Sequence, residues 1–111
     1  MNHKYADIFG YSNFRKFLKD YQYNRNTIES EFSKSHFCRL LGLPNSRSYF
    51  REVLTGRAVT SKFVDKFISV MGLKGKESMY FRALVNYNQA NSKVDRDIYK
   101  EQLYFLKSGS F

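Results

Sequence analysis

Apolar residues recur along this chain at helical spacing and rarely alternate. Phe14, Phe17, Leu18 and Tyr21 stand at i, i+3, i+4 and i+7. They predict a helix of about three turns, from an N-cap at Ser12 to near Asn24, with Ile8 and Phe9 packed under its start. Residues 1–11 read as an irregular lead-in, and the polar stretch from Asn24 to Phe32 reads as a loop that has room for one helical turn. Phe32 and Phe37 then flank a candidate N-cap at Ser33 in the positions of a hydrophobic staple. Phe37, Leu40 and Leu41 form an expected apolar face, with Cys38 beside them and Gly42 ending the helix. Pro44, Asn45 and Ser46 are turn and cap residues, so a further helix is expected from Ser46 to just before Gly56, burying Phe50, Val53 and Leu54.

The second half continues in the same way. Thr60 is the expected cap of a helix whose stripe is Phe63, Val64, Phe67, Ile68 and Met71. Val59 and Val64 hold staple positions, Gly72 is the C′ stop, and Leu73 is the apolar residue after it. Met79, Phe81, Leu84, Val85 and Asn88 mix two faces, which predicts a helix over 74–90 buried on more than one side. Ser92 and Asp95 offer a short variant of a capping box for a final helix, with Val94, Ile98, Leu103, Phe105 and Leu106 apolar, Tyr99 and Tyr104 nearby, and Gly109 at its end. No strand alternation or long repeat persists. The expected fold class is all-α, a bundle of five or six helices.

The 111 residues suffice for one domain with a real core and are too few for two. A hydrophobic content of 42%, rich in Phe and Tyr, is a globular composition. Net charge is +9, and it is uneven: residues 33–66 carry +5, against +1 before them and +3 after them. Polyanions are therefore the expected partners, nucleic acid before an acidic membrane surface. One cysteine excludes an internal disulfide, and its place in a helical stripe makes it a small buried residue. The chain lacks an apolar run of about 18 residues and its N-terminus lacks a signal-peptide core, so no membrane association and a cytoplasmic location are expected.

Catalytic constellations are missing. His3 and His36 lie far apart, no Cys/His cluster has metal spacing, and no Gly-rich phosphate loop occurs. The pairs Glu29/Glu31 and Asp95/Asp97 point to different sides of a helix and read as solvated surface. An enzyme is not expected, nor a cofactor or metal, and no motif names a small-molecule effector.

The two helices flanking Gly42 outline a helix-turn-helix, in which the second helix would lie in the DNA major groove. On that helix Arg47, Ser48 and Arg51 are the base-edge candidates, since Arg is the usual bidentate partner of guanine. Tyr49 and Thr55 are secondary candidates, Tyr49 being equally placed for the core. Lys34, Ser35, Asn45, Arg57, Ser61 and Lys62 are candidate phosphate contacts near helix N-termini.

The segments SKSHFCRLLGL, SRSYFREVLTG and SKFVDKFISVMGL resemble the three central helices of the phage-repressor (Cro/C1-type) helix-turn-helix domain. The matching positions are Phe37-Cys38, Gly42, Phe50, Val53, Gly56 and Gly72-Leu73. One departure is that Gly42 and Gly56 stand about two residues further apart than the pattern has them, around Leu43 to Ser48. More broadly, Ile8 to Tyr21, Gly56-Arg57 and Tyr80 to Ala90 make residues 7–106 similar to the N-terminal part of a paralogous bacterial family first described in Fibrobacter. Members of that family usually continue into a C-terminal region of unknown function. The resemblance thus implies a helix-turn-helix fold, DNA binding, and either a short member or the N-terminal part of a longer protein.

The expected function is sequence-specific double-stranded DNA binding by a bacterial transcriptional regulator, with a homodimer as a candidate assembly. The alternative is a protein-interaction module that keeps the fold without the DNA activity; RNA binding ranks third.

Overall fold

A computed structural model describes residues 4–43 and 48–108. Its described residues form a 3-10 turn, Ile8–Gly10, and six helices: α1 (Phe14–Ile28), α2 (Lys34–Leu40), α3 (Ser48–Leu54), α4 (Ser61–Met71), α5 (Lys76–Gln89) and α6 (Lys93–Ser108). The all-α expectation holds. The turn at Pro44, Asn45 and Ser46, the two-residue insertion around it, Arg47, and the stop at Gly109 lie outside the described residues.

Phenylalanine builds the core. Phe14, Phe17, Phe32, Phe37, Phe50, Phe67 and Phe81 are all essentially inaccessible. Phe37 of α2 is a junction, its ring 5.4 Å from Phe50 of α3 and 5.6 Å from Phe67 of α4. Phe81 of α5 meets Phe67 at 6.3 Å and Phe17 of α1 at 6.0 Å. Such edge and tilted ring contacts add about 0.5–1.5 kcal/mol each beyond area burial. α5 is the central post, packed on α1, α4, α6 and the 3-10 turn. That accounts for burial on more than one of its sides, Tyr80, Phe81, Ala83, Leu84 and Val85 all being covered.

Local chemistry sets most ends. Ser33 accepts the His36 amide at 3.1 Å and Thr60 accepts the Phe63 amide at 3.4 Å. Gly42 and Gly56 take φ of 92° and 127°, which side chains resist. Beyond them the Leu43 amide reaches Cys38 O and the Arg57 amide reaches Glu52 O, both at 2.9 Å. These are the closing bonds of Schellman endings.

Four expectations are corrected. The cap of α1 is Asn13, whose Oδ1 accepts the Arg15 and Lys16 amides, and not Ser12. The Phe14 amide is held instead by Asn88 Oδ1 at 2.8 Å, while Asn88 Nδ2 donates to Ser12 O, so α5 decides which of two adjacent cap residues is used. α1 also runs on to Ile28 rather than ending near Asn24. Its polar last turn is tied down from outside: Asn24 donates to Tyr5 O, and Arg25 stacks 4.0 Å over Phe32 and pairs with Glu29. Leu40 is 47% exposed, because Phe37, Cys38 and Leu41 already span the buried arc of α2. On α6 only Leu103 and Leu106 are buried, while Val94, Ile98 and Phe105 face solvent. Among the described residues no helix is long and apolar enough to cross a membrane.

Candidate nucleic-acid interface

The basic segment becomes a surface on α2, α3 and the start of α4. α3 is short, and its inner side is Tyr49, Phe50 and Val53. Ser48, Arg51, Glu52 and Thr55 are exposed and share its outer side. Thr55 donates its hydroxyl to Arg51 O at 3.0 Å and to Glu52 O at 3.1 Å, closing the last turn. Leu54 is half-buried at the rim rather than in the core.

Lys34, the first residue of α2, lines one cleft of about 200 Å³ together with Arg51, Leu54 and Thr55 of α3. A candidate phosphate contact and two candidate base contacts are thus neighbours in space, although they are far apart in sequence. Ser35 follows Lys34, half-buried, in the first turn of α2. Ser61 and Lys62 are exposed in the first turn of α4. Asn45 and Arg47 lie outside the described residues.

Of the two placements open to Tyr49, the structure has the core one and not the base-facing one. It is 7% exposed, its ring stands 5.0 Å from Phe63 of α4, and burial pushes its hydroxyl pKa up. Arg57 is exposed but engaged. It pairs with Glu52 Oε1 at 2.6 Å, and its guanidinium lies 4.9 Å over the Tyr49 ring. Glu52 therefore brings a carboxylate onto the basic face and offsets part of its field.

Two groups that carry this face were not anticipated. Arg15, on α1, donates from Nε to Val53 O at 2.8 Å and from Nη2 to Gly56 O and Arg57 O at 3.1 Å each. A cation beside the carbonyls at and just past a helix C-terminus is favourable, and here it ties the end of α3 to α1. The only signal in the sequence was an Arg beside a capping residue, with nothing to say which carbonyls it would reach. Gln89 of α5 holds the Val59 amide at 2.7 Å and the Val59 carbonyl at 3.1 Å. Arg15 and Gln89 together fix both ends of the link between α3 and α4. Asn88 and Gln89 belong to the Tyr80–Ala90 segment on which the family resemblance rests, and both act as backbone clamps. Lys66 was also passed over; its Nζ sits beside Gly42, 3.0 Å from where a Cβ would stand.

Among the described residues no three His, Cys, Asp or Glu side chains gather as a metal ligand set. The chain matches no protein-family model, no curated protein and no solved structure.

Proposed function

We propose that this chain binds double-stranded DNA sequence-specifically as part of a transcriptional regulator of the bacterial helix-turn-helix kind. α3 is the reading helix and α2 the helix that supports it. The observation that carries the reading is the shared cleft of Lys34, Arg51 and Thr55, an exposed basic rim on a helix whose opposite side is locked into the core. Arg51 and Ser48 face base edges, and Arg47, outside the described residues, is a third base-edge candidate from the sequence. Lys34, Ser35, Ser61 and Lys62 hold phosphates from helix starts, where amides and dipole favour anions. Arg57 reaches the backbone only by giving up part of its pairing with Glu52.

A titration of duplex binding against salt tests this. With about four to six phosphates neutralised, log K falls with log salt at a slope of roughly −4 to −5. Enrichment of one motif from a random duplex pool supports sequence-specific reading. No binding at low salt removes it and favours the interaction module, a reading supported by the apolar residues exposed on α6.

A further inference from the structure

The final helix is covered on one side only. α6 packs on α5 through Leu103 and Leu106, and α5 is its broad packing partner. Among the exposed residues of α6, most of them charged or polar, four are large and apolar: Val94 is 69% exposed, Ile98 51%, Tyr104 67% and Phe105 44%. At about 100° per residue, Val94, Ile98 and Phe105 fall within about 40° of one line along the helix. Tyr104 meets Phe105 at 5.8 Å between ring centroids. Met79 of α5, 54% exposed, lines a groove of about 430 Å³ with Ala83, Phe105 and Leu106. Single exposed apolar residues are ordinary, but three on one line of a helix, flanked by Tyr104 and Met79, are not.

We infer that this face is where a second copy of the chain docks, with α6 lying antiparallel on α6 about a twofold axis. Val94, Ile98 and Phe105 stand at i, i+4 and i+11, the spacing of a helix–helix seam, with Glu101 filling the missing position. An axis near residues 99 and 100 sets Val94 of one copy against Phe105 of the other, and Ile98 against the Glu101 stem. A twofold contact must be self-complementary in this way.

Charge permits a second copy on this face. A chain of net +9 repels itself over most of its surface, but residues 93–108 carry four basic and three acidic side chains. The antiparallel arrangement therefore brings together two stretches that are each close to neutral. It also opposes the two helix dipoles favourably. The five apolar side chains leave roughly 500 Å² exposed per copy, about 1,000 Å² for a pair, which reaches the lower bound of a specific interface and suits a weak dimer. α6 has no broad packing on α2 or α3, so the basic face of each copy stays open.

Sedimentation equilibrium of the full chain, without DNA, tests this independently of the DNA reading. The wild type should show a monomer–dimer equilibrium centred near about 100 µM. Ile98→Glu should raise the dissociation constant at least about tenfold, and Glu101→Leu, which completes the stripe, should lower it by about fivefold or more. Both sites are exposed, and circular dichroism checks that the helices persist. A wild type that stays monomeric up to about 1 mM overturns the inference. So does a dimer indifferent to both substitutions, since its interface would then lie elsewhere.

Discussion

Gln89 reaches thirty residues back along the chain and holds both backbone groups of Val59, accepting from its amide at 2.7 Å and donating to its carbonyl at 3.1 Å. One side chain thereby replaces the ladder partner that a linker residue between two helices lacks. Gln89→Leu leaves two part-buried backbone groups unpaired and should cost about 1–3 kcal/mol. Urea unfolding followed by circular dichroism measures it. Asn86→Ala, on the exposed side of the same helix, should change stability by less than about 0.5 kcal/mol. Equal effects of the two would show that the Val59 clamp is energetically empty.

Arg51 and Lys62 should divide the labour of binding. Arg51→Ala is expected to cost about 1–3 kcal/mol on a selected site and much less on random duplex. Lys62→Ala should weaken both alike and reduce the salt slope by about one. Neither side chain lies in the core, so folding should survive both changes. One titration series on two duplexes decides it. Equal losses on the two for Arg51→Ala would exclude α3 as the reader.

Glu52 should restrain affinity. Its carboxylate sits on the basic face and occupies Arg57 at 2.6 Å. Glu52→Gln removes a charge that repels phosphate and loosens Arg57, so binding to random duplex should tighten by about threefold to tenfold at low salt. The salt slope should steepen in the same variant. Unchanged affinity and slope would place Glu52 and Arg57 away from the DNA.

Cys38 is structural. It is fully buried in α2, and burial pushes its thiol pKa up, away from the reactive thiolate. Cys38→Ala should be tolerated, whereas Cys38→Arg buries an unpaired charge and should destabilise by about 3 kcal/mol or more. Thiol labelling should be slow in the native protein and fast in denaturant. Rapid native labelling contradicts the placement.

Stability should fall at both ends of the pH scale. Burial, and then a 2.7 Å hydrogen bond to Asp20, push Tyr11 up to about 12, and burial raises Tyr21, Tyr49 and Tyr80 as well. A raised tyrosine stabilises the fold below its unfolded value near 10, and the contribution is lost as pH climbs through the folded value. On the acid side the Glu29 carboxyl is held below its usual range by the Tyr5 hydroxyl and Arg25. Burial acts to raise Asp20, but Tyr11 and Lys16 outweigh it and leave Asp20 lowered as well. Their stabilisation is present above the unfolded carboxylate values and is lost as pH falls through the folded ones. Urea midpoints across pH, with tyrosinate absorbance on the alkaline limb, check both windows. Tyr11→Phe should shrink the loss between pH of about 10 and 12.

The sequence by itself determined the helices whose ends are local chemistry. Ser33, Thr60, Gly42, Gly56 and Gly72 cap or stop them through groups a few residues away, and Phe37, Phe50, Val53 and Phe67 could be assigned inward from spacing alone. The exposed face of α3 followed from that, leaving Ser48, Arg51 and Thr55 outside. Tertiary structure decided whatever depended on a distant partner. Asn88 chose Asn13 over Ser12 as the cap, and the N-terminal segment carried α1 on through a polar turn. Phe63 drew Tyr49 inward, and Arg15 and Gln89 reached carbonyls that no spacing rule names. On α6 the apolar residues fall on two sides of the helix, and their spacing does not say which side is covered. Which neighbour covers a side is a property of the packed chain, and α5 covers only the line of Leu103 and Leu106. A helical period fixes a direction around one axis, whereas burial depends on a second surface meeting it.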